Sequence, residues 1–292
     1  MMRRMMIICL CMAFAGLLNA QEVRDTVVTG DDWRYEGQWP EGKGVMYSED
    51  SGLYFGTFKK GAPEGLCLFV SLSQTEKYYG SFKDGERSGY GLLSRTGGFW
   101  YEGNFEGGYP EGTGSMYFPD MSVYTGKFHL GKPDYTAGKT YRFNNMKSYK
   151  EKLPELPEVQ LTKEQKRFLA ENYRKKEKDK RNFKLDESHV APTFLGGDKG
   201  EFQQWVNSRL VYPKDAYDKG LTGTVKIEFS IIKTGELADP HIWSTSGVAS
   251  IDMEALRVVF MSPDWIPGTK DGKPVRFTYT FPVIFQLRKP QN

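Results

Sequence analysis

The strongest constraint in this chain is a recurring block of glycine and aromatic residues. "YEGQWPEGKGVMY" at 35–47 is echoed by "FGTFKKGAPEGLCLF" at 55–69, "YGSFKDGERSGYGLL" at 79–93 and "YEGNFEGGYPEGTGSMYF" at 101–118. It starts again as "YTGKFHLGKPD" at 124–134. Aligned on the glycine that follows the first aromatic, the copies place Gly37, Gly56, Gly80, Gly103 and Gly126 about 23 residues apart, with one shorter step. A period of that size means stacked supersecondary units, each unable to bury its apolar face alone.

Two residues after each of these glycines stands an aromatic: Trp39, Phe58, Phe82, Phe105 and Phe128. Aromatic, glycine and aromatic therefore alternate with the period of two that defines a strand, and the rings share one face of a sheet. Gly42, Gly61, Gly85, Gly108 and Gly131 follow where a tight turn needs positive φ, and a second strand continues in segments such as "GVMYSE" and "GSMYFPD". Each copy predicts a β-hairpin. A phosphate cradle is excluded at "GKFHLGKP", since Pro133 stands where a P-loop needs Ser or Thr and no helix follows.

The pattern "YEGxW/F…G…GxGxMY" resembles the MORN repeat, with five copies over residues 33–134. The resemblance implies an antiparallel β-hairpin sheet that acts as a scaffold or partner platform. Binding of lipid head groups, suggested for some MORN proteins, is the lesser expectation, because Lys59, Lys60 and Lys83 are mixed with Glu41, Glu64, Glu102, Glu106 and Glu111.

Residues 1–20 carry Arg3 and Arg4, an apolar run from Met5 to Leu18, and small or polar residues ending at Ala20. That layout predicts a secretory signal peptide cleaved after Ala20. The apolar run falls short of the roughly 20 residues that span a bilayer, although an uncleaved anchor is the alternative. Removal of the leader leaves Cys67 as the one remaining cysteine, so no internal disulfide is expected; between Leu66 and Leu68 it reads as a packed apolar side chain. The formal charge of +3 over 292 residues gives no basic surface of the kind nucleic acid requires.

Residues 135–190 read as a charged linker with a helix. Pro154 and Pro157 break "KEKLPELPEVQ", after which Thr162 and Gln165 stand in capping-box spacing at the head of a helix expected over about 163–181. With Phe168, Leu169 and Tyr173 as its few apolar residues, this helix is expected to be a solvated spacer. Its basic half, "RKKEKDKR", would be the part to touch anionic lipid or cell wall.

From 191 to 292 the pattern changes again. "DKGEFQQWVNSRLVYP" sets Phe202, Trp205, Val206 and Leu210 at helical spacing with Asp198 as cap, and "SIDMEALRVVFM" sets Ile251, Ala255, Leu256, Val259 and Phe260 along a second helix. Val225, Ile227, Phe229 and Ile231 alternate along one strand, "KTGE" turns it into a second, and "VRFTYTFPVIFQL" forms the last. The expected fold is a two-layer α+β domain with a three-stranded antiparallel sheet, making the chain as a whole mainly β plus α+β. Trp205, Trp243 and Trp265 read as core. Pro282 has no amide hydrogen, which places the last strand at a sheet edge, and an open edge invites an added strand.

The ordered set "YP", "DMEALR", "PDWIPG", "GKPV" and "FPVIF" resembles the C-terminal domain of the TonB family. That resemblance implies a periplasmic domain that captures an extended segment of an outer-membrane transporter by strand addition. Carried onto this chain, the contact residues are Tyr212 and Pro213 together with the strand Phe281, Pro282, Val283, Ile284 and Phe285. The expected partner is a protein, either a TonB-dependent transporter of the outer membrane or a periplasmic protein, with peripheral membrane contact as a further route. Energy transduction requires the uncleaved anchor.

Enzymatic signatures are not seen. His129, His189 and His241 lie in separate units without partners at metal-ligand or nucleophile spacing, so they read as exposed and idle. The expectation is a binding or scaffold protein of the cell envelope with no catalytic, cofactor or metal site.

Overall fold

A computed structural model of the chain describes residues 27–29, 33–37, 41–182, 188–197 and 199–287. The leader, Trp39 and Asp198 lie outside the described residues. The first part of the chain is an antiparallel meander: β1 (Val27–Thr29), β2 (Trp33–Gly37), β3 (Gly42–Ser48), β4 (Gly52–Lys59), β5 (Ala62–Ser71), β6 (Glu76–Lys83), β7 (Glu86–Arg95), β8 (Phe99–Glu106), β9 (Tyr109–Tyr117), β10 (Ser122–His129) and β11 (Lys132–Arg142). These eleven strands are hydrogen-bonded in chain order. Helices α1 (Met146–Lys150) and α2 (Lys163–Asn182) follow.

The remaining elements are β12 (His189–Val190), α3 (Lys199–Arg209), α4 (Lys214–Asp218), β13 (Gly223–Ile231), β14 (Leu237–Ser244), α5 (Ala249–Phe260), β15 (Thr269–Lys270), β16 (Lys273–Pro274) and β17 (Phe277–Phe285). The chain divides into two compact units. One holds the described strands up to β7, β8 from Trp100, and the connector with α2; the other holds β9–β11, α1 and the C-terminal elements.

In the first unit the repeat explains itself chemically. Gly80 on β6 faces Gly91 on β7, and the ring of Tyr78 folds across the pair. A Cβ on Gly91 would lie 2.4 Å from the Tyr78 ring, so both glycines are needed as a slot. The Tyr78 hydroxyl donates to the carbonyl of Ser81 at 3.0 Å, and Tyr101 does the same to Asn104 at 2.9 Å. Each buried phenol is thereby satisfied within its own strand, as a buried polar group must be. Rings then meet between copies: Tyr35 against Phe58 at 5.0 Å, Tyr54 against Phe82 at 5.8 Å and Tyr78 against Phe105 at 4.9 Å, all edge to face. The hairpin turns pair two positive-φ residues, as at Lys60 and Gly61 with φ 51° and 78°, the backbone that matches strand twist.

The opposite face of this sheet corrects one expectation. The connector is not a solvated spacer. Leu169 is fully buried among Tyr47, Leu53, Phe55, Leu68, Val70, Leu72, Tyr79 and Leu92, and Leu156, Val159, Leu161, Phe168 and Tyr173 pack around them. The extended run before α2 and one stripe of the helix together roof the apolar face. The capping box forms as its spacing predicts: Gln165 N–H donates to Thr162 Oγ1 at 3.1 Å, and Thr162 N–H donates to Gln165 Oε1 at 2.9 Å. The basic half is partly engaged too, with Lys175 Nζ 2.8 Å from Glu49 and Lys176 Nζ donating to the Asp50 carbonyl at 2.6 Å. Cys67 is packed as expected. It is fully buried, its thiol donates to the Thr57 carbonyl, and burial pushes its pKa up to about 12.

In the second unit, the C-terminal elements form a three-stranded antiparallel sheet in the order β14–β13–β17, backed by α3 and α5. Val225, Ile227, Phe229 and Ile231 of β13 are buried against Ile251, Ala255, Leu256, Val258 and Val259 of α5, while α3 contributes Phe202 and Val206. An aromatic cluster closes the layer, with Phe202 4.9 Å from Trp265 and 4.7 Å from Phe281. Buried Asp252 fixes the start of α5 by accepting from the amide and the hydroxyl of Ser246 at 2.8 and 2.7 Å.

Candidate functional site

Strand β17 is the last of its sheet. It pairs with β13 from Gly223 opposite Phe285 to Ile231 opposite Phe277, and among the described residues no strand pairs with its other edge. Its side chains alternate strictly. Val283 and Phe285 are buried and Phe281 half-buried on the helix face, while Thr278, Thr280, Pro282 and Ile284 are exposed on the other.

The backbone alternates with the side chains. Proline sits in a sheet only where its nitrogen faces away from a neighbouring strand. Pro282 lies opposite Lys226 of β13, so its nitrogen points to the free edge, and so by alternation do the amides of Thr280 and Ile284. The free edge therefore offers two donors flanking a position that has none. A missing donor in the middle of an open edge limits uncontrolled self-pairing.

Tyr212 and Pro213 are brought to the same end of this strand. The Tyr212 ring meets Phe285 edge-on at 5.5 Å and Tyr217 at 5.8 Å, and its hydroxyl donates to the Leu221 carbonyl. Pro213 caps α4 with an extended backbone, and its carbonyl accepts from the amides of Ala216 and Tyr217. Of the residues read from the sequence, Phe281, Val283 and Phe285 hold the strand to its core, and Pro282 and Ile284 face outward. Tyr217 was not anticipated. It is 62% exposed on the short helix α4 beside Tyr212, and a single tyrosine in "KDAYDKG" gives no periodic signal.

Two of the histidines are not idle. His129 hydrogen-bonds to Glu111 at 3.2 Å and to Glu236 at 3.0 Å, and His241 is half-buried with Nδ1 2.8 Å from the Asp239 carbonyl. These contacts leave no local signal in the sequence, because the partners of His129 stand 18 and 107 residues away. Among the described residues, no three His, Cys, Asp or Glu side chains converge as a metal-binding group. No described helix is long and apolar enough to cross a membrane.

Comparison with known proteins agrees with both halves of this architecture. Residues 54–71, 78–98 and 101–120 match the MORN repeat, and residues 208–287 match the family described as Gram-negative bacterial TonB protein C-terminal. Alsin from Rattus norvegicus is 28% identical over 130 residues, which is 38% of this chain and 8% of that protein; human alsin is 26% identical over the same shares. The chain thus spans less than a tenth of these curated relatives. Among solved structures, the C-terminal domain of Helicobacter pylori TonB is 20% identical, with a TM-score of 0.26 over 33% of this chain and 90% of that one. Neither matched family is one of enzymes, and TonB-family proteins are envelope-associated and bind other proteins. The chain carries MORN repeats followed by a TonB-family C-terminal domain.

Proposed function

We propose that this is an exported, periplasmic binding and scaffold protein whose C-terminal domain, over residues 191–292, captures an extended partner segment by strand addition along β17. The observation that carries this reading is the edge of β17 that no strand among the described residues pairs with, Pro282 fixing which amides face outward. Main-chain hydrogen bonds from Thr280 and Ile284 would supply affinity, and Tyr212, Tyr217 and Ile284 would meet side chains of the added strand. Outer-membrane transporters with extended periplasmic segments are the partner class that the family relationship favours.

The MORN repeats, over residues 33–134, would serve as the scaffold. A second partner of the first unit would meet its polar surfaces, because α2 and the run before it cover the apolar face. The engagement of Lys175 and Lys176 with the β3–β4 turn argues against that part of α2 as a lipid-binding surface.

The test uses two proline substitutions. Ile284→Pro removes an outward amide and leaves the ladder to β13 intact, so it should weaken binding of synthetic transporter-derived peptides about tenfold in fluorescence anisotropy without lowering the melting temperature much. Val283→Pro should instead unfold the domain, because Val283 is buried and its amide faces β13. Undiminished peptide binding by a folded Ile284→Pro protein overturns the edge-strand reading.

A further inference from the structure

Within the second unit, the turn between β10 and β11 is seated on β14. The Asp239 amide donates to the Leu130 carbonyl at 2.7 Å, and a Cβ on Gly131 would stand 3.0 Å from the Asp239 Cα. Asp239 lies where the β13–β14 register shifts between Glu228 and Ser230. Such a bulge turns a residue out of the ladder. The outer edge of β14 is thus occupied at this point by the last repeat hairpin.

His129 stands at the rim of this contact, at the end of β10 and 60% exposed, with a carboxylate on each ring nitrogen. Both carboxylates are held in place by other groups. Glu111 accepts from the Leu130 amide at 2.9 Å, and Glu236, in the β13–β14 turn, accepts from the Thr234 hydroxyl at 2.7 Å. Among the described residues, the other charged or titratable groups at this contact are Lys132 of β11, which lies close to Glu236, Asp264 of the loop after α5, and Asp239 itself, whose carboxylate lies beside Gly131 and 3.9 Å from His241 Nδ1. Arg276, 5.3 Å from the Tyr109 ring, adds a contact between β9 and the segment leading into β17.

We propose that His129 is a pH-operated latch, holding the β10–β11 turn on the bulged edge of β14 when protonated and loosening it when neutral. The chemistry is a count of donors. An imidazolium has two N–H groups, one for each carboxylate, whereas neutral imidazole has one N–H and leaves a lone pair facing a carboxylate oxygen. The hydrogen bond to Glu236, helped by Glu111, holds the His129 pKa above its ordinary value. A raised pKa places the stabilising contribution fully below the free imidazole value of about 6.5, and it is lost as pH rises through the latched value. The consequence concerns which sheet edges are open: latched, β14 is capped at Asp239 and β17 is the edge left for a partner.

Amide exchange of Asp239 in the full chain, followed by NMR and corrected for intrinsic rates, tests the latch without any partner peptide. Its failure is therefore separable from failure of the strand-addition reading. Between about pH 5.5 and 8.5, protection should fall about threefold, the size expected of an exposed charge pair. His129→Gln should give a flat profile, and Glu236→Gln should move the His129 titration downward. A flat profile in the unsubstituted protein, or an unchanged slope in His129→Gln, overturns the proposal.

Discussion

The two sheets are built on opposite economies of surface. In the first unit the aromatic face packs between successive copies and the other face is roofed by the connector. The C-terminal sheet covers one face with α3 and α5 but, among the described residues, leaves β17 unpaired on one side. Both regions are rich in aromatic strands, yet one spends its pattern on self-packing and the other retains a free row of main-chain groups. Aromatic strand patterning alone therefore does not distinguish a self-packed face from an open edge; what remains unpaired after folding does.

The sharpest way to break this comparison is Tyr78→Ala. The ring is fully buried in the Gly80–Gly91 slot, and its loss should cost about 3–5 kcal/mol, measured as a lower denaturation midpoint of the repeat unit. A loss below about 1 kcal/mol would mean that the slot is dispensable. Next is Leu169→Ala, the centre of the roof, which should destabilise the same unit by about 2–5 kcal/mol. Were its effect confined to melting of α2 with no change in the strands, the connector would be a spacer after all.

Most of the repeat architecture was legible because strand period and turn glycines are local signals. Gly61 and Gly85 occupy positive-φ turn positions as their spacing implies. The role of Gly91 was not legible, since nothing nearby in sequence announces that a tyrosine thirteen positions earlier will lie across it. The roof was hidden for a related reason. Leu156, Val159 and Leu161 stand among Pro157, Glu158 and Gln160 at spacings of three and then two, too short a run to set a helical or strand period, and only the sheet beneath gives them a common direction. At the candidate site, Pro282 was informative because its missing amide is a property of one residue, whereas Tyr217 and the partners of His129 depend on tertiary contact.

Smaller effects sharpen the comparison further. Thr162→Ala removes one half of the capping box and should lower the stability of the roofed unit by about 1 kcal/mol, read by calorimetry. Pro282→Thr should change stability by less than about 0.5 kcal/mol, because the side chain is exposed at the strand edge. It also restores a third outward amide, so it should raise self-association in sedimentation velocity. A strictly monomeric Pro282→Thr protein would show that proline is not what restrains the edge.

The roof over the repeats also has a history in time. The strands at 42–95 are synthesised before the residues at 152–173 that cover them, so a nascent chain carries an uncovered apolar sheet face until the connector has emerged. The connector thus behaves toward the repeats as a built-in holdase that stays bound after folding. Chains cut off shortly after Arg142 would contain every strand of the repeat sheet and still be the form of this protein most prone to aggregate.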